Sequence, residues 1–208
     1  MSAQAAATIT TTPAVSVGGA DQPSYRVMSR SSGLSVGFSG TGTSVTTTNE
    51  DDKRTQYGYG YQVEGSFGFA KGFALGLEYA YSNINNSEHG FEHDPYTLSH
   101  VGLIGRYFFR HDSKRGRPYA EVALLQRKIT LDSTDAPDQT DVTSTSLGAG
   151  LGFGVAIFAT PRLTFDFSGQ AGFGTFSEWK AGDNDIEGVG DVKASSLILR
   201  LGARFYIR

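Results

Sequence analysis

Two histidines, four positions apart, form the densest group of possible metal ligands in the chain. His89 and His93 are flanked by Glu88 and Glu92. Imidazole and carboxylate groups together bind Zn²⁺, Cu²⁺ or Ni²⁺. The segment has the composition of a long loop closed by Pro95, so the spacing alone does not bring the four side chains onto one face. A solvated loop is the simpler interpretation, and a loop-bound divalent cation is the alternative.

Other possible chemistry has weaker support in the sequence. The acidic segment 183–187 lacks the full spacing and the glycine placement of an EF-hand. Ser99 and His100 are adjacent, so on a strand they point to opposite faces and cannot act together as nucleophile and base. We therefore expect no catalytic site and no cofactor.

Composition narrows the fold class. Glycine accounts for 27 of the 208 residues, cysteine is absent and the net charge is −3. Glycine disfavours helix interiors by roughly 1 kcal/mol relative to alanine, which makes a helical bundle improbable. The absence of cysteine excludes thiolate metal sites and disulfides. The slightly acidic balance gives no indication of a nucleic-acid partner.

The secondary-structure elements that would position a functional site are strands, because the sequence alternates with a period of two residues. Eight segments alternate between large apolar residues and small or polar residues, which is the pattern of strands. They run at about 31–42, 56–69, 73–83, 97–109, 119–131, 144–159, 162–177 and 194–207. Short connections fall near 70–72, 110–118 and 160–161, and long ones near 43–55, 84–96, 132–143 and 178–193. This alternation predicts an all-β fold, an eight-stranded antiparallel up-and-down barrel.

The residue types on the two faces of each strand indicate which face contacts lipid. In the third segment, Phe73, Leu75 and Leu77 alternate with Ala74 and Gly76. The lumen of an eight-stranded barrel is only wide enough for side chains to fill, which suits the small and polar face. The large apolar face must then point outward. That surface would aggregate in water but is required in a bilayer, so the barrel is predicted to be transmembrane, with short periplasmic turns and long extracellular loops.

Charged residues on the inward face predict a network in the lumen. Unpaired charges would be very costly in so narrow a space. We expect the acidic and basic side chains to pair and close the lumen, and a narrow gated channel is the alternative. The network is predicted to contain Glu64, Glu78, Glu121, Asp166, Arg106, Arg127, Arg200 and Arg204.

Charge along the chain separates by type of connection. The long connections are strongly acidic, whereas the short turns and the N-terminal segment are basic. An acidic outer rim would hold divalent cations that bridge to lipopolysaccharide phosphates. Lys128 falls on the outward face near that rim, where it would either meet a lipid phosphate or extend its amine to the interface.

The C-terminal segment resembles a known assembly signal. Arg200, Gly202, Phe205 and Ile207 follow the pattern of a polar residue, a glycine and two hydrophobic residues spaced by one. With the eight strands, this makes the chain similar to the small OmpA/OmpX-type outer-membrane barrels. The resemblance implies insertion by the barrel assembly machinery, a location in the bacterial outer membrane and periplasmic termini. It also implies contact with outer-membrane lipid and lipopolysaccharide.

Domain organisation and function follow as expectations. Residues 1–24 are small, polar and aperiodic, which predicts a flexible periplasmic lead-in over residues 1–30 before a barrel over residues 31–208. The predicted role is structural or adhesive, exerted through the acidic loops or the lipid-facing surface, with another envelope protein as a possible partner. The resemblance also implies an alternative function, a lipid-A-modifying enzyme.

Overall fold

A computed structural model describes most of the chain from residue 33 onward. The described ranges are 33–49, 52–69, 72–85, 95–109, 116–131, 141–182, 184–186 and 190–207. The predicted lead-in over 1–30 lies outside them. No helix in these ranges is long and apolar enough to cross a membrane.

In the described ranges the chain forms eight long strands and two short ones. The long strands are β1 (Gly33–Asn49), β2 (Asp52–Gly68), β3 (Phe73–Asn85), β4 (Tyr96–Phe108), β5 (Gly116–Leu131), β6 (Val142–Phe158), β7 (Leu163–Phe176) and β10 (Val192–Tyr206). The short strands are β8 (Glu178–Ala181) and β9 (Asn184–Asp185).

The long strands close into an antiparallel barrel. Each strand pairs with its neighbour in the order β5-β4-β3-β2-β1-β10-β7-β6, and the pairing of β5 with β6 joins the two ends. β8 continues the direction of β7 and pairs with the first residues of β6. The predicted fold class, an eight-stranded up-and-down β-barrel, is confirmed.

The first predicted long connection is wrong. The sequence predicted a loop over 43–55, but β1 runs on to Asn49 and β2 starts at Asp52, with Thr48 opposite Lys53 in the register. Apart from Val45, this stretch is polar on both faces, so it lacks the apolar alternation by which the other strands were found. Its threonines nevertheless favour strand, because β-branched side chains fit a pleated surface.

Two other connections also differ from the prediction. β8 and β9 lie within the predicted long connection 178–193 and form a small hairpin beyond the end of β7. β5 begins at Gly116, inside the predicted short connection 110–118, and this places Arg117 in the barrel wall with its side chain buried.

The alternation of faces follows the sequence pattern. Along β3, Phe73, Leu75 and Leu77 are exposed while Ala74 and Gly76 are buried. The outward face therefore carries a continuous apolar surface, as hydrocarbon requires of a barrel wall. Closure pairs the backbone groups of every long strand with both neighbours, so the wall needs no water to satisfy them.

The lumen contains three layers of different chemistry. Near the short connections Ala74, Phe108, Tyr119 and Ala156 form an apolar cluster. The middle layer is charged. Near the long connections a larger apolar cluster fills the lumen, made of Val45, Ile84, Tyr96, Leu98, Ile129, Phe176 and Ala194.

Candidate functional site: the charged lumen

Arg106 occupies the centre of the charged layer. It lies on the inward face of β4, where alternate residues are buried, and only 2% of its surface is exposed. Its Nη1 and Nη2 donate to the two carboxylate oxygens of Glu64 at 2.8 and 3.0 Å. Its Nε donates to Glu121 Oε2 at 3.0 Å, and Nη2 also contacts that oxygen. One guanidinium thus binds two carboxylates, one of them bidentately, which is the strong form of this interaction.

Arg200 extends the network from β10. Its Nη2 donates to Glu121 Oε1 at 2.5 Å, and its Nη1 lies 3.3 Å from Glu78 Oε2. Nη1 also lies 3.3 Å from Gln62 Oε1. Glu121 therefore lies between two guanidinium groups, Arg106 and Arg200, and the strands β4, β5 and β10 are tied together through it.

Arg204 and Asp166 complete the network toward the short connections. Arg204 Nη2 donates to Glu64 Oε2 at 3.1 Å, and its Nη1 lies 3.6 Å from Asp166 Oδ1. Thr164 donates its hydroxyl to the other oxygen of Asp166 at 3.3 Å. Glu64 consequently receives hydrogen bonds from two arginines on different strands.

Two glutamines belong to the same network, although the sequence did not assign them to it. Gln62 Nε2 donates to Glu78 Oε2 at 2.8 Å. Gln170 Nε2 donates to Glu121 Oε1 at 3.1 Å and lies 3.4 Å from Glu78 Oε1. Their inward phase was visible in the alternation, but a neutral amide gave no signal of pairing.

His100 borders the network on one side. Its Nε2 lies 3.4 Å from Glu78 Oε1. Glu78 and Glu64 face each other directly in the β2–β3 register. Like charges in that position are destabilising, and the surrounding arginines offset the repulsion.

Arg127 lies apart from the carboxylates that the sequence assigned to it. Its Nη1 donates to the carbonyl of Ala194 at 3.3 Å, and its guanidinium carbon is 5.5 Å from the centre of the Phe176 ring. No carboxylate in the described ranges lies within ion-pair distance of it, so the structure brings together seven of the eight predicted members. The reason is the position of Arg127 along the barrel axis. It lies opposite His100 in the β4–β5 register, beside the apolar cluster near the long connections and not among the carboxylates.

Arg117 is a buried arginine that the sequence did not assign to the lumen. Its guanidinium carbon lies 5.4 Å from the centre of the Phe158 ring, and 1% of the residue is exposed. The sequence placed it in the predicted short connection 110–118, before the fifth segment. The charge–ring contact adds to the closure of the lumen near the short connections.

The lumen is filled by side chains from end to end of the charged layer. Arg106, Glu78 and Glu121 are each at most 2% exposed, and apolar clusters lie on both sides of them. Such an arrangement holds strands in register. The described ranges contain no group of three or more His, Cys, Asp or Glu residues arranged to hold a metal ion.

The remaining candidate residues are distributed as follows. Glu88, His89, Glu92 and His93 lie outside the described residues. In the acidic segment 183–187, Asp185 is exposed, 3.5 Å from Lys180 Nζ. Ser99 faces outward while His100 is buried in the lumen, so the two do not form a pair. Lys128 faces outward, as its phase predicted.

The terminal segment divides between the two faces. Arg200 lies in the lumen, whereas Phe205 and Ile207 face outward with about half of their surfaces exposed. Gly202 is required by the close approach of β1, because an added Cβ there would lie 2.2 Å from the carbonyl oxygen of Phe38. The glycine of the pattern thus has a steric role between the first and last strands.

Comparison with known proteins gives structural matches only. No family model matches the chain, and no curated protein matches it. The crystal structure of neisserial surface protein A is similar to this one over 85% of this chain and 98% of that chain, with 18% sequence identity and a TM-score of 0.61. The chain has the fold of the small eight-stranded outer-membrane barrels.

Two further solved structures agree with that fold. AlkL, an outer membrane protein solved in lipid bilayers by solid-state NMR, matches over 85% of this chain and 91% of that chain, with 12% identity and a TM-score of 0.53. OprG, an outer membrane protein from Pseudomonas aeruginosa, matches over 85% and 97%, with 12% identity and a TM-score of 0.50. At these identities the likeness concerns the fold.

Proposed function

We propose that the chain is an integral barrel of the bacterial outer membrane whose lumen is closed and whose role is exerted by its outer surfaces. The observation that carries this proposal is the filled lumen: Arg106, Glu121 and Glu78 are buried. Arg106 donates to Glu121, and Arg200 donates to both Glu121 and Glu78. An apolar cluster also lies on each side of them. A closed lumen supports a structural or adhesive role, exerted through the long connections or the lipid-facing wall.

Conductance across a planar bilayer tests the closed lumen. The reconstituted wild-type barrel is expected to show no steady single-channel current. Arg106→Ala and Glu78→Ala open space in the charged layer, and Lys128→Ala, on the outward face, is the matched control. A steady wild-type current that both lumen variants raise and the control leaves unchanged would establish the gated channel instead.

The orientation of the barrel is part of the proposal. Short turns face the periplasm in barrels of this kind, so the ends of β1 and β10 near Gly33 and Tyr206 are assigned to the periplasmic side. The chain has no cysteine, so single-cysteine variants report cleanly. Asn184→Cys should react with an impermeant maleimide on intact cells, and Ala159→Cys only after the outer membrane is opened; the reverse pattern would invert the orientation.

Assembly by the barrel assembly machinery is supported by the outward position of Phe205 and Ile207 on the last strand. Phe205→Ala should reduce the fraction of folded barrel in outer membranes. Phe165→Ala, an outward phenylalanine on β7, is the control for lost apolar surface. Equal losses in the two variants would count against a specific assembly role.

An envelope partner and an enzymatic role are tested separately. Copurification from native membranes in mild detergent would reveal a stable partner protein. Mass spectrometry of lipid A from expressing cells is expected to show no new species, since Ser99 and His100 point to opposite faces. A modified lipid A dependent on the barrel would replace the structural role with an enzymatic one.

A further inference from the structure

A groove crosses the outward face of the barrel close to the long connections. Its volume is about 670 Å³, and residues of β5, β6, β7, β10 and β1 line it. The backbone of Gly148 and Gly174, which oppose each other in the β6–β7 register, contributes to its floor. Leu124, Leu147 and Phe173 are apolar lining residues. Its volume is within the range of small-molecule sites.

One end of the groove is polar and basic. Lys193 and Thr48 are among the lining residues. Thr48 lies opposite Lys53 on β2 and opposite Lys193 on β10, and Lys193 lies opposite Thr175 on β7. The four side chains therefore form a row across four neighbouring strands, which are spaced by about 4.8 Å. All four are on the outward face, and two ammonium groups alternate with two hydroxyls.

Lys128, another outward-facing lysine near this end, has a different setting. Lys128 lies opposite Thr145, and Thr145 lies opposite Glu178 on β8. That row therefore contains one lysine and one carboxylate. The row with Lys53 and Lys193 contains no acid; Asp191, two residues before Lys193, is exposed and precedes β10. Lys180, also exposed near this end, lies 3.5 Å from Asp185. Among the lysines that the structure describes near this end, Lys53 and Lys193 thus form the row without a carboxylate.

We propose that this groove binds a membrane lipid that carries a phosphate monoester on an acylated body. The phosphate lies on the row of Lys53, Thr48, Lys193 and Thr175, and an acyl chain lies along the groove between Leu147 and Phe173. Ammonium and hydroxyl groups donate hydrogen bonds to phosphate oxygens. Lysines near a membrane surface also attract anionic headgroups. The proposal rests on the proposed function in one respect, namely that the outward face contacts lipid.

Native mass spectrometry of the full chain, released from a neutral detergent, tests the site. The probes are dipalmitoyl phosphatidic acid and diphosphorylated lipid A, with dipalmitoyl phosphatidylcholine as the chain-matched control. Wild-type protein is expected to retain the two phosphate monoester lipids in preference to phosphatidylcholine. Inorganic phosphate in excess should displace little of either, because the acyl chain contributes to binding; full displacement would mean a free-anion site and would overturn the proposal.

Substitutions distinguish the two parts of the site. Lys193→Ala and Lys53→Ala should each weaken retention of phosphatidic acid about fivefold, the change expected for about 1 kcal/mol per lysine near a membrane surface. Lys128→Ala is the control for charge at the same end of the barrel. An equal loss in all three variants would overturn the proposal in favour of general attraction to the rim.

Filling the groove tests the acyl-chain part. Ala149→Trp places a large side chain in the groove while leaving both lysines in place. It should weaken retention of phosphatidic acid, whereas Leu103→Trp on the outward face of β4 should not. Unchanged retention of phosphatidic acid in the Ala149→Trp variant would overturn the proposal that an acyl chain lies in the groove. The result is separable from the closed-lumen proposal, because a conducting barrel could still show all of these lipid effects.

Discussion

Arg106 and Arg127 are buried to the same degree in one lumen, but their surroundings differ. Arg106 donates to Glu64 and Glu121. Arg127 donates to a backbone carbonyl and lies over the ring of Phe176, and its Nη2 has no hydrogen-bond partner among the described residues. Burial of a charge therefore does not by itself indicate an ion pair, and the stability of the two layers should rest on different interactions.

The largest effect is expected in the central layer. Arg106→Met removes the shared partner of two buried carboxylates and should lower the free energy of unfolding by about 3–5 kcal/mol, as for other buried ion pairs that lose one member. Denaturant unfolding of the barrel in lipid bilayers, followed by tryptophan fluorescence, measures this. A loss below about 1 kcal/mol would show that the central network contributes little to stability.

A smaller effect is expected from crowding the same layer. An added Cβ at Gly102 would lie 2.8 Å from the side chain of Leu125 and 3.1 Å from the carboxylate of Glu78. Gly102→Ala should therefore cost about 1–3 kcal/mol, the range for overpacked cores. Gly42→Ala is the matched control, because an added Cβ there meets nothing within 4 Å. Equal stability of the two variants in the same unfolding assay would mean that the central layer has room to adjust.

Removing side-chain volume from the apolar cluster near the long connections should lower the stability of the barrel. Ile129 is 5% exposed within it. Ile129→Val removes one methylene and should cost about 0.5–1.5 kcal/mol. Val122→Ala, on the lipid-facing side of the same strand, serves as the comparison, and its cost should be the smaller of the two in the unfolding assay. A larger cost on the outer face would contradict a packed cluster in the lumen.

The smallest effect is expected for Arg127. Arg127→Met exchanges a guanidinium without a nearby carboxylate for an apolar side chain of similar length beside the apolar cluster. The change in unfolding free energy should lie within about 1 kcal/mol of zero, because replacing an uncompensated buried charge by an apolar group is often neutral or stabilising. A double-mutant cycle with Phe176→Leu measures any coupling between the charge and the ring. A loss as large as that for Arg106→Met would remove the distinction between the layers.

Much of the barrel could be predicted from local pattern, and the exceptions have physical causes. The alternation of apolar and polar residues located all eight long strands. It also assigned Leu77 to the outward face and Glu78 to the inward face correctly. It missed the end of β1, which runs to Asn49, and the start of β2 at Asp52, because apart from Val45 this threonine-rich stretch is polar on both faces. It missed Arg117 because the predicted fifth segment started at residue 119, whereas β5 begins at Gly116.

The candidate site was predictable as a set of inward charges, but its pairing was not. Gln62 and Gln170 were visible as inward residues, yet only the structure shows them bound to Glu78 and Glu121. Arg127 has the same inward phase as Arg106 and was assigned the same role. Position along the barrel axis separates them, and alternation carries no information about that position.

The sequence by itself determined which face each residue takes, because successive side chains on a strand point to opposite sides whatever the strand pairs with. It thereby determined that the outside is apolar and that the charged side chains of the strands lie inside. Tertiary structure alone decided which charges meet. Glu64 and Arg106 lie on β2 and β4, which are not paired with each other, and Arg200 reaches Glu121 from a strand that is not its neighbour. Those contacts require the closed barrel and its register to be set first, since only then do strands remote in the sheet face one another across the lumen.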